Sequence, residues 1–264
     1  MPSDPHPFLS KLASNIKQKQ SYLCIGLDPD PTKLPSQYPQ TIHGIQSFLD
    51  DIVQKTLPFA IAFKPNISFF EALGIDGLRC LEQVVKRIPS HCPVILDAKR
   101  GDIGNTSRMQ ATFIYDFFRA DATTLHPYMG LDSLKPFFDY KDKFNFVLAL
   151  TSNPSATDFE TLKQDNSTYV YQTIAKKCQD WNAISHNIGL VVGATHNTDL
   201  IQIRKETPHL LFLMPGVGSQ GGSYQNAIKL GQNSSQMVIV NVSRSVLYAA
   251  DPILACQEIL TPTI

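Results

Sequence analysis

Short, near-continuous apolar runs recur along the chain, separated by stretches of helical periodicity. The runs lie at 21–28 (SYLCIGLD), 59–66 (FAIAFKPN), 93–100 (PVILDAKR) and 121–128 (DATTLHPY), then at 144–152 (FNFVLALTS), 188–195 (IGLVVGAT), 209–218 (HLLFLMPGVG) and 237–245 (MVIVNVSRS). None alternates apolar with polar, which suits strands covered on both faces, as parallel strands are. Between them, 41–57 carries Ile42, Ile45, Phe48, Leu49, Ile52 and Val53 at helical spacing, with Thr41 as the N-cap. Ile75, Leu78, Leu81, Val84, Val85 and Ile88 mark a second helical face. No Gly/Ser-rich linker or composition break divides the chain. Eight strand-helix units predict an α/β fold, a single-domain (β/α)8 TIM barrel spanning 1–264. The competing layout is an open, doubly wound sheet with a small appended domain.

In such barrels the active site lies at the C-terminal ends of the strands. Those ends carry Asp28, Lys64 with Asn66, Asp97 with Lys99, His126, Ser152 with Asn153, and Thr195. The last two are the loop PGVGSQGG (215–222) and Ser243-Arg244-Ser245. Polar and ionisable groups therefore collect at one mouth. His126 reads as a structural histidine and Asp30, after Pro29, as a turn residue or helix cap.

Composition narrows the partners. With 23 basic and 23 acidic residues, 43% hydrophobic and 17% charged, there is no basic surface of the kind nucleic acid requires. The first twenty residues lack a secretory pattern, and no stretch approaches the roughly 20 apolar residues of a membrane span. Five scattered cysteines without a CxxC pair suggest neither disulfides nor zinc, and a reducing, cytoplasmic setting follows.

The stretch VILDAKRGDIGNT (94–106) concentrates the chemistry. Positions i and i+2 of a strand share a face, so Asp97 and Lys99 are expected side by side in the barrel mouth, with Ala98 packing outward. Burying such a pair among the helices would cost several kcal/mol per ion, roughly. Negative charge beside an ammonium favours its protonated form, so Lys99 reads as a proton donor and not as a Schiff-base nucleophile. A framework ion pair is the plainer alternative. Lys64, ending the neighbouring strand, can reach the same space. Glycines 216, 218, 221 and 222 let backbone N–H groups approach an anion, and Arg244 at the next strand end adds a fixed fork for phosphate oxygens. The substrate expected is a phosphorylated small molecule or nucleotide, and 215–226 is the segment expected to close over it.

CIGLDPDP, FKPNISFFEALG, ILDAKRGDIGNT, ALTSNP, PGVGSQGG and NVSRSVLYA, in this order along the chain, resemble the motifs of the orotidine 5′-monophosphate decarboxylase family, in its longer branch. The resemblance implies cofactor-free, metal-free decarboxylation of that nucleotide to UMP in a homodimer. Lys64, Asp97, Lys99 and Asp102 match the family's alternating Lys-Asp-Lys-Asp network, with Lys99 as proton donor and Asp102 reaching the partner's site. Asp28 and Thr106 match ribose contacts, Thr106 across the interface. Ser152 matches the pyrimidine contact, Gln220 and Arg244 the phosphate ligands, with Gly221 and Ser245 beside them. A magnesium-dependent lyase on the same scaffold and a non-catalytic nucleotide-binding protein are the rival readings.

Overall fold

A computed structural model describes residues 6–164, 168–195, 197–218 and 221–261. Each apolar run contains one strand: β1 Leu23–Leu27, β2 Ala62–Pro65, β3 Ile95–Arg100, β4 Ala122–Leu125, β5 Phe144–Leu150, β6 Ile188–Val192, β7 Phe212–Met214 and β8 Ile239–Val242. All pairings are parallel, in the order β2-β1-β8-β7-β6-β5-β4-β3. The two ends of this sheet, β2 and β3, meet through the parallel bridges Phe63–Val94 and Asn66–Asp97, which close it into a barrel. That seam is made of isolated bridges and not of a continuous ladder. The open-sheet alternative is excluded by the closure.

Alternation along the strands divides the core into two layers. Cys24, Ala62, Ile95, Ala122, Phe146, Leu213 and Ile239 point into the lumen, while their neighbours pack against the surrounding helices. The helix Ile42–Thr56 is one of these. Thr41 caps it, its Oγ1 accepting from Gly44 N–H at 3.1 Å, a contact of about 1 kcal/mol. In the helix Gly74–Arg87, Leu81, Val84 and Val85 are buried as expected, but Ile75 is 71% exposed. It lies on the side of the helix away from the face formed by Gly77, Leu81 and Val84.

The N-terminal helix Pro7–Lys19 inserts Phe8 and Leu12 into the lower end of the lumen, Phe8 stacking on Phe144 at 5.0 Å between ring centroids. Lys11 pairs with Asp121 at 2.7 Å, Asn15 donates to the His91 carbonyl at 2.7 Å, and Lys19 donates to the Ala60 carbonyl at 2.6 Å. The helix is thereby tied across the segments that enter β4, β3 and β2. Burying each of those two side chains stabilises the fold by about 2 kcal/mol, and the floor leaves only the opposite mouth open for chemistry.

Candidate active site

At the closing seam Lys64 ends β2 and Asp97 lies in β3. The Lys64 ammonium donates to Asp97 Oδ2 at 2.6 Å, and the Lys99 ammonium donates to Asp97 Oδ1 at 2.6 Å. One carboxylate is thus held between two cations. Lys64 and Asp97 are buried, whereas the Lys99 side chain is 49% exposed and opens to the mouth. Burial draws the Lys64 ammonium toward losing its proton, but the Asp97 and Asp28 carboxylates outweigh it and hold the group above the ordinary lysine range. Burial likewise pushes the Asp97 carboxyl up, and Lys64 and Lys99 outweigh it, holding it well below the usual carboxylate range. Both stay ionised because each has the other.

The sequence suggested a regular pleat carrying Asp97 and Lys99. They do meet, by a different route. The β3–β4 register shifts between Leu96 and Arg100, and Lys99 has φ +46°, in the left-handed region, at a cost of about 1 kcal/mol for a residue with a side chain. Thr124 on β4 supports the bulge: its Oγ1 accepts from the N–H groups of Ala98 (3.1 Å) and Lys99 (3.0 Å) and donates to Asp97 Oδ1 (2.8 Å). Ala98 packs outward as expected. Thr124 was missed, because a threonine inside ATTL reads as an ordinary β-former.

These charges line one side of a cavity of about 250 Å³, with Thr124, Thr151, Ser152 and Asn153 beside them and Leu148, Val191, Leu213 and Pro215 as apolar wall. A flat, partly polar ring fits such a slot. Ser152 is set by its surroundings. The N–H and hydroxyl of Thr151 donate to Glu160 at 2.7 and 2.9 Å, and a Cβ on Gly193 would come within 3.0 Å of the Ser152 backbone. The Asn153 side chain lies 2.7 Å from the same Thr151 hydroxyl, and Asn66 caps the next helix by accepting from Ser68 N–H (3.1 Å). Asp30 is a cap too, accepting from Thr32 N–H at 3.0 Å.

Asp28 stands just beyond β1. Its Oδ2 accepts a 2.5 Å hydrogen bond from Ser243, its carbonyl accepts from Tyr248 at 3.1 Å, and its Oδ1 is buried with no hydrogen-bond partner. A buried carboxylate oxygen without a partner is uncommon and marks a place where a further donor would be favoured. Ser243 was placed at a strand end, but its bond to Asp28, like Tyr248 itself, escaped the sequence reading, since the partner lies more than 200 residues away.

The loops after β7 and β8 also converge. Gly216, Gly218 and Gly221 have φ of 98°, 78° and 86°, and a Cβ on Gly218 would lie 2.9 Å from Ser245 Oγ. Arg244 and Ser245 are exposed at the start of the short helix Arg244–Leu247, and a Cβ on Gly221 would meet open space. Gln220 lies outside the described residues. Within 215–226, Ser223 caps the helix Tyr224–Gly231, and the Tyr224 hydroxyl accepts from Tyr22 N–H at 2.9 Å.

Four expected positions stand apart from the cavity. Asp102, which accepts from Ile103 N–H at 2.7 Å, lies just before the helix Gly104–Thr112, and exposed Thr106 lies in its first turn. His126 backs onto Gly101, where a Cβ would come within 3.0 Å of its ring, and it lines a neighbouring cavity instead. Thr195 is exposed.

The orotidine 5′-phosphate decarboxylase / HUMPS family model matches residues 21–259. Orotidine 5′-phosphate decarboxylase of Herpetosiphon aurantiacus is 45% identical over 244 residues, covering 92% of this chain and 90% of that protein. The Parabacteroides distasonis protein of the same name is 41% identical over 242 residues, covering 90% and 86%. Among solved structures, Leishmania donovani OMP decarboxylase superposes with a TM-score of 0.86 at 37% identity, over 96% of this chain and 95% of that one. With barrel, charged seam and whole-chain similarity in agreement, the chain belongs to the orotidine 5′-phosphate decarboxylase family.

Proposed function

We propose that Lys99 is the proton donor in the reaction this enzyme catalyses, the decarboxylation of orotidine 5′-monophosphate to UMP and CO₂ in pyrimidine synthesis. The supporting observation is Asp97 held between the Lys64 and Lys99 ammonium groups at the wall of the cavity. As the C6–carboxylate bond breaks, its electron pair stays on C6 in the ring plane, where no carbonyl π-system delocalises it. The Lys99 ammonium stabilises that charge and then transfers its proton to C6, which gives UMP. Asp97 adjoins the departing carboxylate, and their repulsion is relieved as CO₂ leaves. No cofactor enters the scheme.

Ser152 contacts the pyrimidine, Asp28 and Lys64 the ribose, and Arg244, Gln220, Gly221 and Ser245 the phosphate. Phosphate binding, remote from C6, stabilises the closed form of the loop after β7. The partner's Asp102 and Thr106 complete each site in a homodimer, which accords with their position outside their own cavity. Residues 1–264 act as one domain in the cytoplasm, a setting that suits five buried, unpaired cysteines. Among the described residues no helix is long and apolar enough to cross a membrane.

A metal-dependent reaction on this scaffold would need Asp97 oxygens free to ligate, and both are taken by ammonium groups. The experiment is a spectrophotometric assay for loss of orotidine 5′-monophosphate with and without chelator. Wild-type turnover should be unaffected by chelator, and Lys99→Ala should lose nearly all turnover while still binding UMP. Near-normal turnover by Lys99→Ala would sink the assignment.

A further inference from the structure

A hydroxyl offers two lone pairs and one proton. Thr124 uses all of them on three consecutive residues of the neighbouring strand: its lone pairs take the Ala98 and Lys99 N–H groups, and its proton goes to Asp97 Oδ1. The side chain is 2% exposed, so water does not compete for these bonds. β-Branching restricts its χ1, which aims the hydroxyl at the bulge. Lys99 departs from strand geometry where these bonds act, and the register resumes at Arg100, opposite Leu125. The backbone from which the Lys99 ammonium projects, and the carboxylate it pairs with, are therefore set by one atom.

We propose that Thr124 is a positioning residue for the decarboxylation, holding the Lys99 ammonium at the reacting carbon by fixing both the left-handed turn of β3 and the Asp97 carboxylate. The proposal rests on the assignment of Lys99 as proton donor. Valine keeps the shape of threonine and supplies none of the three bonds, whereas serine supplies all three with a freer χ1.

Thr124→Val should lower kcat about 100-fold, the scale of a misplaced reacting group, with KM and UMP affinity within about threefold because the ribose and phosphate ends are untouched. Thr124→Ser should recover kcat to within about fivefold of wild type. A merely structural threonine would instead shift the melting temperature and leave kcat per folded site unchanged. Wild-type kcat in Thr124→Val, or equal losses in the valine and serine variants, would overturn the proposal. Should Thr124→Val not fold, Thr124→Cys takes its place, since a thiol is a weak donor and acceptor: kcat should drop about tenfold, and an unchanged kcat overturns the idea. Failure of the underlying reading looks different, because Lys99→Ala would then turn over normally whatever residue stands at 124.

Discussion

Ser243 donates a 2.5 Å hydrogen bond to Asp28, joining the end of the last strand to the end of the first. It fixes one carboxylate oxygen, while Oδ1 is buried without a hydrogen-bond partner. Ser243→Ala should therefore raise KM for orotidine 5′-monophosphate about tenfold, the worth of one hydrogen bond to a charged group, with kcat little changed. Steady-state kinetics decide it, and an unaltered KM would mean that Asp28 is oriented by other contacts.

Arg244 and the glycines after β7 stand together at the rim. Arg244→Ala should weaken UMP about 100-fold, as expected for loss of a charge-assisted phosphate contact, while uridine affinity stays within about threefold. Calorimetric titration of both ligands gives the ratio. Equal losses for nucleoside and nucleotide would place Arg244 elsewhere than on the phosphate.

The buried charges set a pH window. Asp97 has a folded pKa below its unfolded one, so its stabilisation is present above about pH 3.9 and lost as pH falls through the folded value. Lys64 is shifted upward, so its stabilisation is full below about pH 10.4 and lost as pH rises through the folded value. The gap in urea midpoint between wild type and Asp97→Asn should be constant from about pH 5 to 9 and narrow outside those limits. A gap that closes near neutrality would contradict the arrangement.

If Asp102 acts across a dimer interface, equimolar Lys99→Ala and Asp102→Ala proteins, each inactive alone, should regain about one quarter of wild-type activity on mixing, since random exchange gives half hybrids with one intact site each. Activity that stays absent after verified subunit exchange would assign Asp102 to its own protomer.

The barrel was legible because parallel strands are covered on both faces and so spell unbroken apolar runs. Asp97 and Lys64 stood out because charge at the tip of such a run is costly to bury unless it is paired or used. What stayed hidden depends on contacts between distant positions: the Lys99 bulge needs Thr124, and the Asp28 brace needs Ser243 and Tyr248. Phe8, Leu12 and Ile16 are spaced for one helical face, yet nothing in that spacing says the helix floors a barrel.

The seam between β2 and β3 gives the reaction's charges a second consequence. The strands meet there through isolated bridges, and the Lys64–Asp97 ion pair crosses the same gap. Deleting either partner strands a buried charge, a loss of about 3–5 kcal/mol, at the seam where the sheet closes on itself. Chemistry and architecture are thus inherited together: a descendant released from selection for turnover would still be held to this pair by the need to stay folded. A lysine and an aspartate at these two positions would then persist for the sake of the fold alone.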